Sequence, residues 1–268
     1  MIRDSTNPKL APTVYGGGPP SDDPAEAYHE ASKLQPATIG RELRGIALLE
    51  RNLALQQVAS RSVRRNLALP RIALPQARLG EVTLAEALAA RRSARDFGTK
   101  PLSLEELATL LWSAYGMTGT LDTAEQRVRT VPSAGALYPL ELYVAAVRVS
   151  GLERRIYHYD PFAHALELTS AEAELEGISP DPVLPGNAAA VVLAAAVFWR
   201  SRVKYGLRAY RFTVLEAGHA MQNLLLAAVA RRLEAVVLGG FFDDRVDRLL
   251  GLDGVDESAL VGACVGPR

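Results

Sequence analysis

The stretch from Ala188 to Trp199, AAAVVLAAAVFW, is an uninterrupted apolar run. It falls short of the ~18 residues a membrane span needs. Bounded by Asn187 and Arg200, it reads as a core strand over Ala189–Phe198. Such a strand needs neighbours, and the same pattern marks Leu140–Val147, Ile156–Tyr159, Ala165–Leu168, Ala235–Leu238 and Leu260–Val265. YHYDPFAHALEL reads as a hairpin. Between the fourth and fifth strands lies RFTVLEAGHAMQNLLLAAVARR, apolar over most of a helical circumference, which predicts a helix buried in a core or between subunits. Its narrow polar stripe of Glu216, His219 and Asn223 reads as a satisfied polar seam in a dimer interface, in preference to a catalytic role for His219. Two further helices start at capping boxes, Thr83 with Glu86 and Ser103 with Glu106. The second presents Leu104, Leu107, Leu111 and Ala114 as one stripe and stops at Gly116. Helices mixed with mostly antiparallel strands predict an α+β fold.

Ahead of this domain the chain changes character. Residues up to about Asp23 are rich in Pro, Gly and small polar side chains and read as a mobile tail. Ile39–Leu67 carries Leu and Ile at three- and four-residue spacing among arginines, an amphipathic arm for the main domain or a partner subunit. LPRIALPQA, with two prolines, is an extended connector. The expected division is residues 1–80, tail and arm, and 81–268, the main domain.

Thirty Lys and Arg balance thirty Asp and Glu, so no net field favours nucleic acid or an anionic membrane. The N-terminus lacks the apolar core of a signal peptide, and a cytoplasmic location is expected. Cys264, the single cysteine, excludes an intrachain disulfide and reads as a buried small residue. His29, His158, His164 and His219 are scattered without metal-ligand spacing, so no metal is expected.

Three segments carry candidate chemistry. In RRSARDF, Arg91 and Arg95 stand four residues apart, so a helical or turn-like backbone presents both guanidiniums on one side, with the Ser93 hydroxyl, to a phosphate. In PSAGALYPLELYV, Pro132, Ser133, Ala134 and Gly135 form a loop entering a strand, where a ring system could lie on backbone amides. In LGGFFDD, Gly239 and Gly240 follow a strand and admit a planar group against the main chain.

The order and wording of these segments resemble the nitroreductase superfamily, whose members bind FMN between two intertwined subunits. LSLEELATLLWSAYG, YHYDPFAHALELT, KYGLRAYR, EAGHAMQNLLLAA and DDRVDRLLGLD resemble its SagB-type dehydrogenase branch in particular, from about Glu81 to the C-terminus, and AEAYHEASK resembles that branch's leader. The resemblance implies a nitroreductase-like fold, a homodimer and FMN held by the three segments. It also implies that Lys204 and Tyr205 take and steer the ring proton of an azoline while hydride passes to the flavin. Arg200, Arg202 and Arg208 are close enough in sequence to lower the pKa of that lysine.

The expected activity is oxidation of thiazoline or oxazoline to thiazole or oxazole on a peptide, with a cyclodehydratase as a possible partner. Two other readings stand beside it: a nicotinamide-dependent reductase of nitroaromatics or quinones, and a scaffold subunit that positions a peptide or its cyclodehydratase. Two departures from relatives bear on the site. The chain stops at VGPR without the basic pair many members carry, so the further phosphate charge falls to Arg268 or to Arg208 and Arg211. Gly239 stands where many relatives have an acidic residue, which leaves backbone amides as the contact there.

Overall fold

A computed structural model describes residues 24–34, 36, 39, 44–61, 70–121, 126–181 and 183–268. The expected tail lies outside them, as does part of the expected arm. The chain forms two compact units, Met1–Glu42 and Leu43–Arg268. The first contains helix α1 (Pro24–Ala31). The second contains everything that follows.

Its centre is a seven-stranded sheet in the order β1-β6-β5-β4-β7-β9-β8, with every neighbouring pair antiparallel. The strands are β1 (Arg71–Ala73), β4 (Leu140–Ala146), β5 (Arg155–Asp160), β6 (Ala165–Glu172), β7 (Ala190–Val197), β8 (Glu234–Leu238) and β9 (Glu257–Gly266). β2 (Met117–Leu121) and β3 (Gln126–Arg129) form a separate hairpin. All six expected strands are present. β1 was read as a connector: its Leu-Pro flanks hide a three-residue strand, confined to the sheet edge where prolines cost no ladder bonds. The β2–β3 hairpin escaped notice because QRVR lacks apolar alternation.

Every residue of β7 is buried, because the sheet is covered on both faces. Leu140, Leu142, Val144 and Val192 pack under α5 (Leu104–Tyr115) and α8 (Arg208–Ala230), through Leu107, Leu111 and Leu224. Tyr143, Ala145, Val191 and Leu193 face the other way, with Val246 and Leu250 of α9 (Asp243–Leu250) and Leu184 of α6 (Leu184–Asn187). Both capping boxes are made, at Thr83 for α4 (Leu84–Ala90) and at Ser103 for α5. Gly116 ends α5, though with φ −71° and not in a left-handed turn. Glycine is required there because a Cβ would lie 2.3 Å from Cδ1 of Trp112.

The register fixes where functional segments fall. β7 runs from Ala190, paired with Val265, to Val197, paired with Glu257. At about 3.3 Å per residue these two ends of the sheet are about 23 Å apart. Among the described residues, no helix is long and apolar enough to cross a membrane.

Candidate active site

Lys204 and Tyr205 lie at the Val197 end of the sheet. The expectation of a loop there is corrected: the chain turns directly from β7 into helix α7 (Trp199–Tyr205), whose last two residues they are. The loop before β4 reaches the same end, since Leu140 pairs with Ala196 and the Val197 amide donates to the Pro139 carbonyl at 2.8 Å. Within that loop Gly135, Ala136 and Tyr138 all have positive φ, at 64°, 49° and 47°. Two of the three carry side chains, so the surrounding structure must hold a conformation the backbone resists.

Gly135 shows what the loop accommodates. A Cβ placed on it would stand 2.7 Å from the Tyr205 hydroxyl and 2.9 Å from Lys204 Nζ. The tips of both side chains therefore converge on the bare face of this glycine. Tyr205 is steadied edge-on against Phe212, with ring centroids 5.1 Å apart, and Lys204 Nζ lies 5.5 Å from the Tyr205 ring centre. Burial raises the Tyr205 hydroxyl's pKa and keeps it a proton donor.

Part of the expected arm supports this helix. α2 (Arg44–Arg51) and α3 (Leu53–Arg61) belong to the second unit, and buried Leu49 and Ala59 pack with Leu137, Val203 and Tyr205. α2 crosses α7 at Gly45, whose Cβ would stand 2.4 Å from the Val203 carbonyl oxygen and 2.6 Å from that of Lys204.

Arg200 was expected to depress the lysine's pKa. Instead it is buried and neutralised, its Nη2 2.6 Å from Glu141 Oε1. It begins a chain of alternating charge through the sheet. Glu141 Oε2 meets His158 Nε2 at 2.8 Å, and His158 Nδ1 meets Glu167 Oε2 at 3.3 Å. Arg71 closes the series by pairing with both Glu167 and Asp160. Burial pushes the Glu141 carboxyl up, but Arg200 and His158 outweigh it and hold the pKa near about 2. Burial likewise disfavours charge on His158, and its two carboxylates overcome this, raising it to about 9. The charged chain anchors α7 one turn before Lys204.

Glu216, expected as part of a hydrogen-bonded stripe, is indeed hydrogen-bonded, but its place beside the loop was not expected. It is 3% exposed on α8. Its carboxylate accepts the Tyr115 hydroxyl at 2.5 Å. Burial raises its pKa to about 7 against the lowering effect of Ser133, Tyr115 and Arg129. Arg129, also buried, lies over the rings of Tyr115 at 4.4 Å and Tyr138 at 4.8 Å. The only sequence signal was an acidic residue among apolar neighbours. Asn223 of the expected seam bonds the Thr130 carbonyl, while His219 is exposed in the single chain.

The remaining candidates lie elsewhere. Residues 91–98 form neither helix nor strand, so of the helical or turn-like backbones expected there the helical one is absent. The segment runs beside β8, with the Ala94 amide bonded to the Ala235 carbonyl at 3.1 Å and the Gly98 amide to that of Pro267 at 2.8 Å. Ala235 pairs with Val265, so Arg91, Ser93 and Arg95 stand at the Ala190 end. Arg268 is at that end too, largely exposed, its Nε 3.0 Å from Glu234. Arg208 and Arg211 start α8 at the opposite end. Gly239 and Gly240 are exposed, and a Cβ on either would meet no protein atom within 4 Å.

Comparison with known proteins bears on this arrangement. A model of the nitroreductase family matches residues 88–266. The Methanocaldococcus jannaschii protein MJ1384, named for the nitroreductases, is 36% identical over 173 residues, 63% of this chain and 85% of its own. The trifolitoxin-processing protein TfxB of Rhizobium leguminosarum is 32% identical over 59% of this chain, and the microcin B17-processing protein McbC of Escherichia coli 28% over 57%. The matches span 46% and 57% of those two proteins. A crystal structure from Ralstonia eutropha, also named for the nitroreductases, aligns with a TM-score of 0.63 at 28% identity, covering 76% of this chain and 91% of that one. A chain of the E. coli microcin synthetase McbBCD complex, with truncated pro-MccB17 bound, aligns with a TM-score of 0.57 at 20% identity over 89% of this chain and 99% of its own, a likeness of fold alone. With two thirds of its length matched by the family model and the same α+β architecture, the chain belongs to the nitroreductase family.

Proposed function

We propose that this protein is an FMN-dependent dehydrogenase of the SagB type, which oxidises thiazoline or oxazoline rings in a peptide to thiazole or oxazole. The observation that carries this reading is the convergence of Lys204 Nζ and the Tyr205 hydroxyl on Gly135.

The residues present fit the cofactor. Arg91, Ser93, Arg95 and Arg268 gather phosphate donors at the Ala190 end, whereas the Pro132–Gly135 loop faces Lys204 and Tyr205 at the Val197 end. The separation of about 23 Å along β7 supports a site completed by a second copy, one supplying phosphate donors and the other the loop. Gly239 and Gly240, exposed beyond β8, offer backbone amides. Bound there, FMN would supply the hydride acceptor that no side chain can provide.

The chain's own residues handle the proton. Aromatising an azoline removes one proton and one hydride from adjacent carbons. Lys204 takes the proton next to the ring nitrogen, and Tyr205, held protonated, donates a hydrogen bond that orients the ring. Gly135, lacking a Cβ, lets both tips close against the loop. The kinship with TfxB and McbC, named for the processing of trifolitoxin and of microcin B17, supports a peptide substrate.

A nicotinamide-dependent reductase is the second reading, favoured by the match over most of MJ1384. Lys204→Ala and Tyr205→Phe decide between them. Both variants should keep the flavin spectrum while azoline oxidation falls ~100-fold or more. Parent-rate azoline oxidation by both would overturn the mechanism. Rapid nitroaromatic reduction with NADH, without azoline oxidation, would favour the reductase.

A further inference from the structure

Two hydroxyl groups bracket the strained loop, and each is held in the same way. Ser133 Oγ accepts the Tyr138 amide at 2.9 Å, and Tyr115 Oη accepts the Leu140 amide at 3.1 Å. The Tyr115 hydroxyl then directs its proton to the Glu216 carboxylate at 2.5 Å, and the Ser133 hydroxyl stands near enough to that carboxylate to lower its pKa. A carboxylate only accepts, so the Tyr115 hydroxyl is oriented with a lone pair aimed at the Leu140 amide. A protonated Glu216 would carry a donor of its own, and the tie to Tyr115 would weaken or reverse.

We propose that Glu216 is a positioning residue: its carboxylate form latches residues 133–140 in the conformation that sets Gly135 against Lys204 and Tyr205, and its protonation releases the latch. The groups facing it are Tyr115 from α5, Arg129 from β3 and Tyr138 from the loop itself; His219, one turn along its own helix, is exposed. Tyr115 stays protonated, its pKa raised by burial and by Glu216, so it serves as a donor throughout. With Glu216 near about 7, the latch changes state around neutral pH. Its consequence for cofactor retention rests on the flavin reading of the loop. The latch itself does not.

Hydrogen exchange of the full chain without added ligand tests the latch. After correction for intrinsic exchange rates, protection at Tyr138 and Leu140 should fall about tenfold from pH 8 to pH 6, the change in ionised fraction across a pKa near 7. Strand β7 should show no such change. Glu216→Gln should abolish the pH dependence. A pH-flat parent, or a Glu216→Gln protein that keeps the parent's dependence, would overturn the proposal. Should that variant fail to fold, Ser133→Ala decides: Tyr138 must lose protection at pH 8 while β7 keeps its own, and parent-like protection there would overturn it. Riboflavin, which has no phosphate to titrate, separates the two claims. If exchange switches with pH but riboflavin affinity does not follow, the latch stands and the flavin assignment of the loop falls.

Discussion

Replacing Glu141 by Gln removes the shared anion between Arg200 and His158. The depression of the Glu141 carboxyl from 4.5 to about 2 corresponds to about 3 kcal/mol of folding stability. Because its folded pKa lies below the unfolded one, that contribution is present above pH 4.5 and lost as pH falls towards 2. His158 has the opposite sign: raised from 6.5 to about 9, its contribution is full below 6.5 and lost as pH rises through 9. The two describe largely the same contact and are not additive. The parent should therefore hold this stabilisation in full from about pH 4.5 to 6.5. Glu141→Gln leaves a buried guanidinium and a buried imidazole facing a neutral amide, for which the expected loss is about 3–5 kcal/mol. Urea unfolding from pH 3 to 9 measures it. The variant should be destabilised by that amount near pH 6 and should lose much of the parent's acid limb. A loss below about 1 kcal/mol, with the acid limb unchanged, would refute the buried charge chain as an anchor of α7.

Gly135→Ala places a methyl group where the Lys204 and Tyr205 tips converge, in a backbone with φ 64°. Those tips can move, so stability should fall by only about 1–2 kcal/mol while azoline oxidation falls about 100-fold, as read by parallel unfolding and turnover assays. Gly45→Ala instead meets backbone carbonyls that cannot yield. It should cost about 1–3 kcal/mol and raise hydrogen exchange across residues 44–61, leaving the central strands unaffected.

The legible parts of this chain were those written in local pattern. Alternating or continuous apolar runs marked β4, β7 and β9, and Ser and Thr capping boxes marked the starts of α4 and α5. β1 was obscured because three residues carry no period, and β3 because QRVR carries no apolar alternation. Lys204, Tyr205 and Gly135 were legible as separate motifs. Their meeting depended on β4 and β7 pairing in a particular register, which no single segment encodes. Glu216 looked like part of a polar stripe, since its partners Tyr115 and Ser133 lie 101 and 83 positions away in the chain. Arg200 misled for the same reason: its charge is answered by Glu141 on a neighbouring strand.

The proposed flavin site draws on two copies of this chain, and subunit complementation tests this without requiring the natural substrate. An Arg91→Ala, Arg95→Ala double variant should lose FMN through its phosphate donors, and Gly135→Trp should lose it through the loop. Unfolded together and reassociated, the two should yield mixed dimers in which one site carries both defects and the other carries none. Flavin absorbance should then return to roughly a quarter of the parent's level per chain, as random pairing of two subunits requires. Mixed dimers, verified by differential tags, that bind no more FMN than either variant alone would contradict the claim and place the whole site within one protomer.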